Sequence, residues 1–249
     1  MKTRLLSLLA ALTLSVASAP STAYELRLYT EQFPPFNMSL TGQPFAHRAE
    51  DIGGACTDIV KAILAKTSLD YSIRLRNWNY GLSRTQQHPD HAIFCTARTD
   101  EREPFFHWVG PLVNIQWALF TMTDNPLRLN SLEDAKNLRI GGYRGDVMTT
   151  YLEERGFNVS AIAEDAVNPR RLQLGQVDAW VSDVLAGAYT AAELDIYDIE
   201  PRLVFNNTPL FLAINLNTRP EVVQQLYRAL EQVRASGEMD SILRAYGHR

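Results

Sequence analysis

Residues 92–112 read AIFCTARTDEREPFFHWVGPL, and the order of chemistries in this stretch decides how the chain is read. Residues 92–95 form a short apolar strand. Residues 96–103 turn polar and charged at once, bringing Thr96, Thr99, Asp100, Glu101 and Arg102 in quick succession. A strand that stops and presents such groups places them at the carboxyl end of a sheet, the edge where open α/β folds bind ligands. The aromatics Phe105, Phe106 and Trp108 follow, closed by Gly110-Pro111, a dipeptide that interrupts regular elements. A chain crossing between lobes does so at such an interruption. The stretch therefore reads as half a binding site followed by a hinge.

On the amino-terminal side, Leu26 and Leu28 alternate with polar neighbours in a first strand, 25–29. It runs into Glu31-Gln32-Phe33-Pro34-Pro35-Phe36, where two prolines fix an extended loop. A helix follows whose period is set by Asp58, Ile59, Ile63 and Leu64, with Cys56 and Thr57 at its start. Residues 71–76 are a second strand, followed by Asn77-Trp78-Asn79 and a short helix over 80–87. On the carboxyl-terminal side, strands are expected at 116–122, 138–142, 159–162, 179–182, 204–205 and 210–216. Asp146 opens a helix that Gly156 closes, and another helix follows Asp183 over 185–192. Ser131 reads as the cap of a short helix over 132–136. The chain ends in two helices, 220–235 and 238–246, broken at Gly237.

Strands alternate with helices throughout, so the fold class is α/β with mostly parallel pairing. Crossings after Trp108 and near Pro209 divide it into a discontinuous first lobe, 24–111 plus 209–249, and a second lobe, 112–208. The cleft between them is the natural place for a ligand.

The 249 residues are 46% hydrophobic, with 10 Phe, 10 Tyr and 4 Trp, which excludes a disordered chain. Residues 1–23 join Lys2 and Arg4 to an apolar run and then Ser21-Thr22-Ala23, the pattern of a secretory signal peptide cut after Ala23. The apolar run is well short of the ~20 residues a membrane span needs. Without the leader, 22 basic residues stand against 28 acidic ones, a formal charge of −6 that excludes a basic nucleic-acid footprint. Cys56 and Cys95 both follow the leader. In an oxidising compartment they are either one disulfide or two small buried thiols.

Several motifs in order resemble the periplasmic type 2 solute-binding proteins of the polar amino-acid class, family 3. They are Phe33-Pro34-Pro35-Phe36, Asp58-Ile59-Val60, Asn77-Trp78-Asn79, Thr99-Asp100-Glu101-Arg102, the Gly141-to-Gly145 loop and Gly175-Gln176-Val177-Asp178-Ala179. The terminal segment with Ile242, Leu243 and Tyr246 completes the set. The resemblance covers 24–249 and implies two lobes, each a mostly parallel sheet flanked by helices, closing on a small polar, amino-acid-like solute. It implies a periplasmic monomer serving an inner-membrane ABC permease or a sensor, with no cofactor.

In that class the arginine of the T-x-x-R segment holds the ligand carboxylate, and Arg102 stands there. A planar guanidinium grips a carboxylate through two charge-assisted bonds; the alternative is a surface pair with Glu101 or Glu103. Asp183 stands where the class places the acid that receives an ammonium, and an N-cap is an equally good use of it. Phe33 and Trp78 match aromatic walls or are core. Thr96 and Arg144 are further candidates for ligand contact.

Two positions depart from the class. Asp146 occupies the site of a helix-opening Ser or Thr, where an acid suits the helix dipole but repels a carboxylate. Cys95 and Ala97 replace small hydroxyl residues. Glu31, Asp146 and Asp183 together would suit a ligand carrying extra positive charge. The same fold also hosts periplasmic cyclohexadienyl dehydratase, an enzymatic alternative in which Asp183 or Glu31 is the acid and Arg102 with Arg144 the clamp. No nucleophile elbow is present, and His88-Pro89-Asp90-His91 reads as a solvated turn rather than a metal site.

Overall fold

The structure, a computed structural model, describes residues 24–247. The expected signal peptide over 1–23 and the last two residues lie outside them. Among the described residues ten strands and seven α-helices follow one another, with short 3-10 turns between them. The first half holds β1 (Glu25–Thr30), β2 (Met38–Ser39), β3 (Ile52–Gly53), α1 (Ala55–Ala65), β4 (Asp70–Leu75), α2 (Trp78–Gln87) and β5 (His91–Ala97). The long strand β6 (Phe106–Met122) leads to β7 (Ile140–Tyr143), α3 (Val147–Glu154), β8 (Val159–Ile162), α4 (Asn168–Gln173), β9 (Ala179–Asp183) and α5 (Val184–Ala192). A second long strand, β10 (Ile199–Asn215), returns the chain to α6 (Pro220–Ala235) and α7 (Glu238–Ala245).

Eight strands make one sheet in the order β4-β1-β5-β10-β6-β9-β7-β8. At one end β1 pairs in parallel with β4 and β5, and at the other β7 pairs in parallel with β8 and β9. The two parallel triplets are joined through β10 and β6, which run antiparallel to each other along almost their whole length. β5 pairs with the last part of β10 from Leu210 to Ile214, and β9 with the second part of β6 from Trp117 to Phe120. Each long strand therefore belongs to both ends of the sheet.

Hydrophobic patterning explains the layers. In β1, Leu26 and Leu28 are fully buried, and α1 turns Cys56, Ile59, Val60, Ile63 and Leu64 into the same core. α6 comes late in sequence yet packs on α1 and β6, burying Val222, Leu226, Leu230 and Val233 as one apolar stripe. A second cluster, Tyr29, Trp78, Ile93, Phe106 and Trp108, lies beneath α2 and reaches Tyr143 from the far half of the sheet.

Gly110-Pro111 does not end a strand, contrary to the reading of the sequence; β6 runs through it. Leu210 pairs with Val113 and Leu212 with Val109, so Phe211 alone faces Gly110, Pro111 and Leu112. The extra residues are taken up as a bulge. A Cβ on Gly110 would stand 2.6 Å from the Phe211 ring, so this close approach needs glycine. Donors from α6 reach carbonyls beside and within the bulge: Tyr227 donates to Trp108 O at 2.7 Å and Arg234 to Pro111 O at 2.8 Å. Likewise the expected strands 204–205 and 210–216 are one strand, with Asn206-Asn207-Thr208-Pro209 paired to residues of β6. The polar run signalled a loop, but a neighbouring strand satisfies its backbone.

Candidate functional site

The carboxyl ends of the parallel strands open on one shared cavity. Glu31 and Phe33 follow β1, Trp78 begins α2 just past β4, Cys95 and Ala97 close β5, and Arg102 lies in the turn beyond. From the other half come Tyr143 at the end of β7, Asp146 ahead of α3, and Asp165 in the 3-10 turn after β8. Ile115, Val181 and Leu210 complete the wall. The space open to the centres of water-sized spheres is about 40 Å³, room for only a few waters, so the two halves are drawn together. Gly145 lies against Asn79, the Tyr189 hydroxyl reaches the Met38 sulfur at 3.7 Å, and the Tyr143 hydroxyl lies between Glu31 and the Trp78 backbone.

Arg102 is held rather than free. Its Nη1 donates to Ala97 O at 3.2 Å, and its guanidinium carbon lies 4.9 Å from the centre of the Trp78 ring. Burial loosens its proton, and the facing Asp146 and Glu31 oppose that. The surface pairing open to an arginine in this segment is made by Arg98, whose Nε donates to Glu103 at 2.6 Å. Trp78 is only 5% exposed, yet its indole N–H has no partner. Phe33 stacks on Phe36 at 5.1 Å between ring centres.

Three acids line the cavity with this single cation. Glu31 has its pKa pushed up to about 8, chiefly by burial and then by Asp146, and its Oε2 is buried without a partner. Burial also raises Asp146, although Met148 and Thr149 donate their backbone N–H to its Oδ1 and Arg102 attracts it. Asp165 is pushed up to about 6 by burial, against the pull of Asn168 Nδ2 and Trp180 Nε1, which donate to its Oδ1 at 2.8 and 3.0 Å.

The structure brings Arg102, Glu31, Phe33, Trp78 and Asp146 together, and does not bring Asp183, Thr96 or Arg144 to the cavity wall. Asp183 is 2% exposed and caps α5, accepting from Leu185 and Ala186 N–H at 2.9 Å each through Oδ1 and from Gln116 N–H at 2.7 Å through Oδ2. The Thr96 hydroxyl is turned inward to Ile93 O at 3.3 Å. Arg144 is exposed in the turn that follows β7, and Tyr143 at the end of the strand takes the cavity position. Cys56 and Cys95 are joined, with Cα atoms 6.1 Å apart. Asp165 escaped the sequence reading altogether. Its only signal was an acid just past a strand end, the feature that drew attention to Asp183. Among the described residues no His/Cys/Asp/Glu group could hold a metal ion.

No family model matches the sequence, and no curated protein matches it either. Solved structures do. A histidine kinase sensor domain with similarity to periplasmic binding proteins superposes with a TM-score of 0.79 at 18% identity, over 90% of this chain and 96% of that one. An ancestral arginine-binding protein bound to glutamine gives 0.75 at 21% identity, over 90% and 97%. An ancestral amino-acid-binding protein, AncCDT-1, described as a precursor of cyclohexadienyl dehydratase, gives 0.74 at 19%, over 90% and 95%. These likenesses run almost end to end, and the chain has the two-lobed periplasmic-binding-protein fold.

Proposed function

We propose that this protein captures a small polar, amino-acid-like solute in the cleft between lobes 24–111 plus 209–249 and 112–208, and that it works in the periplasm. The observation that carries this reading is the convergence on one nearly closed cavity of Arg102, Trp78 and Phe33 from one half and Tyr143, Asp146 and Asp165 from the other. Contacts made from both halves at once exist only in the closed form, so a ligand shifts the population toward closure. Arg102 is the anion-binding pole, with Trp78 and Phe33 as walls. The closed state serves an inner-membrane ABC permease or a membrane sensor, and the protein acts as a monomer.

A thermal-shift screen against amino acids, polyamines and small carboxylates tests the reading, because a ligand of the folded form raises its apparent stability. For the ligand that the screen identifies, Arg102→Ala should weaken binding by roughly 100-fold, the loss of a charged bidentate contact, with the circular dichroism spectrum unchanged. Retained affinity would sink the assignment.

A second reading rests on Glu31. A carboxyl group with a pKa of about 8 is protonated at neutral pH, which suits a general acid. A dehydratase acting on prephenate would use it to protonate the leaving hydroxyl. Appearance of phenylpyruvate absorbance on adding prephenate separates this reading from simple capture.

A further inference from the structure

We infer that Asp146 and Asp165 form a cation-binding subsite, receiving an ammonium or guanidinium group of a ligand whose acceptor end lies against Arg102 and Trp78. The inference rests on the capture reading and assigns the cationic pole to residues other than Asp183. Asp183 spends both carboxylate oxygens on three backbone N–H groups of β6 and α5. Asp146 and Asp165 are different: each lines the cavity, and each is pinned through Oδ1. The Oδ2 of each is spent on none of those bonds. Fixed carboxylates of this kind are ready-made acceptors whose orientation costs nothing further on binding.

Two orphaned groups in the same wall point independently to a ligand. Glu31 Oε2 is a buried acceptor without a donor, and Trp78 Nε1 is a buried donor without an acceptor. Buried polar groups are ordinarily satisfied. A ligand with N–H groups at one end and an oxygen at the other completes both.

The polarity of α3 supports the same orientation. The N–H groups of Met148 and Thr149, which open that helix, are already taken by Asp146, so the helix terminus presents a carboxylate where it would otherwise attract an anion. Charge balance agrees. Arg102 is the single cation of the cavity wall, set against Asp146 and Asp165 and, above its pKa of about 8, Glu31, with Tyr143 the other titratable group against Glu31. A zwitterion adds no net charge to that set, whereas a ligand of net positive charge offsets it. A bound cation favours the ionised carboxylates, so binding releases protons and affinity rises with pH across roughly 6 to 8, the span of Asp165 and Glu31.

Isothermal titration of the purified protein at pH 6 and pH 8 tests this, with arginine, lysine and ornithine set against citrulline, glutamine and glutamate. The expected result is that at least one cation binds tenfold or more tighter than any of the other three, and tighter at pH 8 than at pH 6. Asp165→Asn, which keeps the Oδ1 acceptor, should erase that preference while leaving the melting temperature unchanged or higher. Should citrulline, glutamine or glutamate bind as tightly as the cations, or should Asp165→Asn keep the preference, the subsite is wrong and the capture reading stands. If no compound in the panel or in the wider thermal-shift screen binds, both are wrong.

Discussion

Asp146 and Asp183 show why single residues are hard to assign from sequence. Both follow a strand end, both open a helix, and both accept two helix N–H groups through one oxygen. They differ in the second oxygen, which depends on a neighbour distant in sequence: for Asp183 it meets the N–H of Gln116 on β6, whereas Asp146 stands on the cavity wall. No local pattern carries that difference. Thr96 missed the cavity because one step along a strand reverses the face, and Arg144 because it lies in the exposed turn past β7. The place of Arg102 on the cavity wall was legible because the T-x-x-R pattern singles it out from Arg98. Asp183→Ala removes a cap and a charge-assisted bond from a buried position, and should cost about 2–4 kcal/mol in denaturant unfolding. Asp183→Asn is the sharper probe. Its amide oxygen can keep the cap, but its NH2 then faces the Gln116 N–H, so stability should fall although the helix remains capped. An unchanged midpoint for Asp183→Asn would show that the Gln116 bond contributes nothing.

Elements were legible where hydrophobic period and caps agreed. The helix expected after Asp146 is α3, and Ser131 caps its 3-10 turn through a reciprocal box with Asp134. The two long strands were not legible, because Gly110-Pro111 and Asn206-Asn207-Thr208-Pro209 carry local loop chemistry that cross-strand pairing overrides. Donors from α6 then reach carbonyls beside and within the bulge, a partnership between residues over a hundred positions apart. The cysteine pair is a further link between elements, tying the start of α1 to β5 at the cavity wall across a separation of 39 residues. Closing a loop of that length restricts the unfolded chain by roughly 4 kcal/mol in the chain-entropy account. Replacing both cysteines by serine should therefore lower the unfolding free energy by about that amount, with the oxidised parent as reference. Equal midpoints for parent and variant would mean that native-state strain cancels the restriction.

At the scale of the whole molecule, the cleft is set by two antiparallel strands that belong to both ends of one sheet. Between the part of β10 joined to β5 (Leu210–Ile214) and the part of β6 joined to β9 (Trp117–Phe120), only residues 114–116 of β6 and 207–209 of β10 intervene, so bending there would move one triplet against the other. The alternation of strands and helices made this architecture readable, since short parallel strands need helical crossovers. The degree of closure was not readable, because it depends on contacts such as Gly145 against Asn79. A cavity of about 40 Å³ between the halves admits no solute without opening, so closing contacts should govern affinity. Gly145 has φ +79°, and a Cβ there would stand 2.9 Å from Asn79 Oδ1. Asn79 is exposed and its Oδ1 ends a flexible side chain, so a turn of Asn79 should make room for the new methyl with the halves still closed. The left-handed backbone itself costs about 1–2 kcal/mol. Gly145→Ala should therefore lower the melting temperature while the radius of gyration of the ligand-saturated protein in small-angle scattering, and the affinity, stay close to those of the parent. Adding Asn79→Ala should change neither any further. A loss of compactness and affinity in Gly145→Ala that Asn79→Ala restores would show instead that the Asn79 side chain is pinned and that Gly145 controls closure.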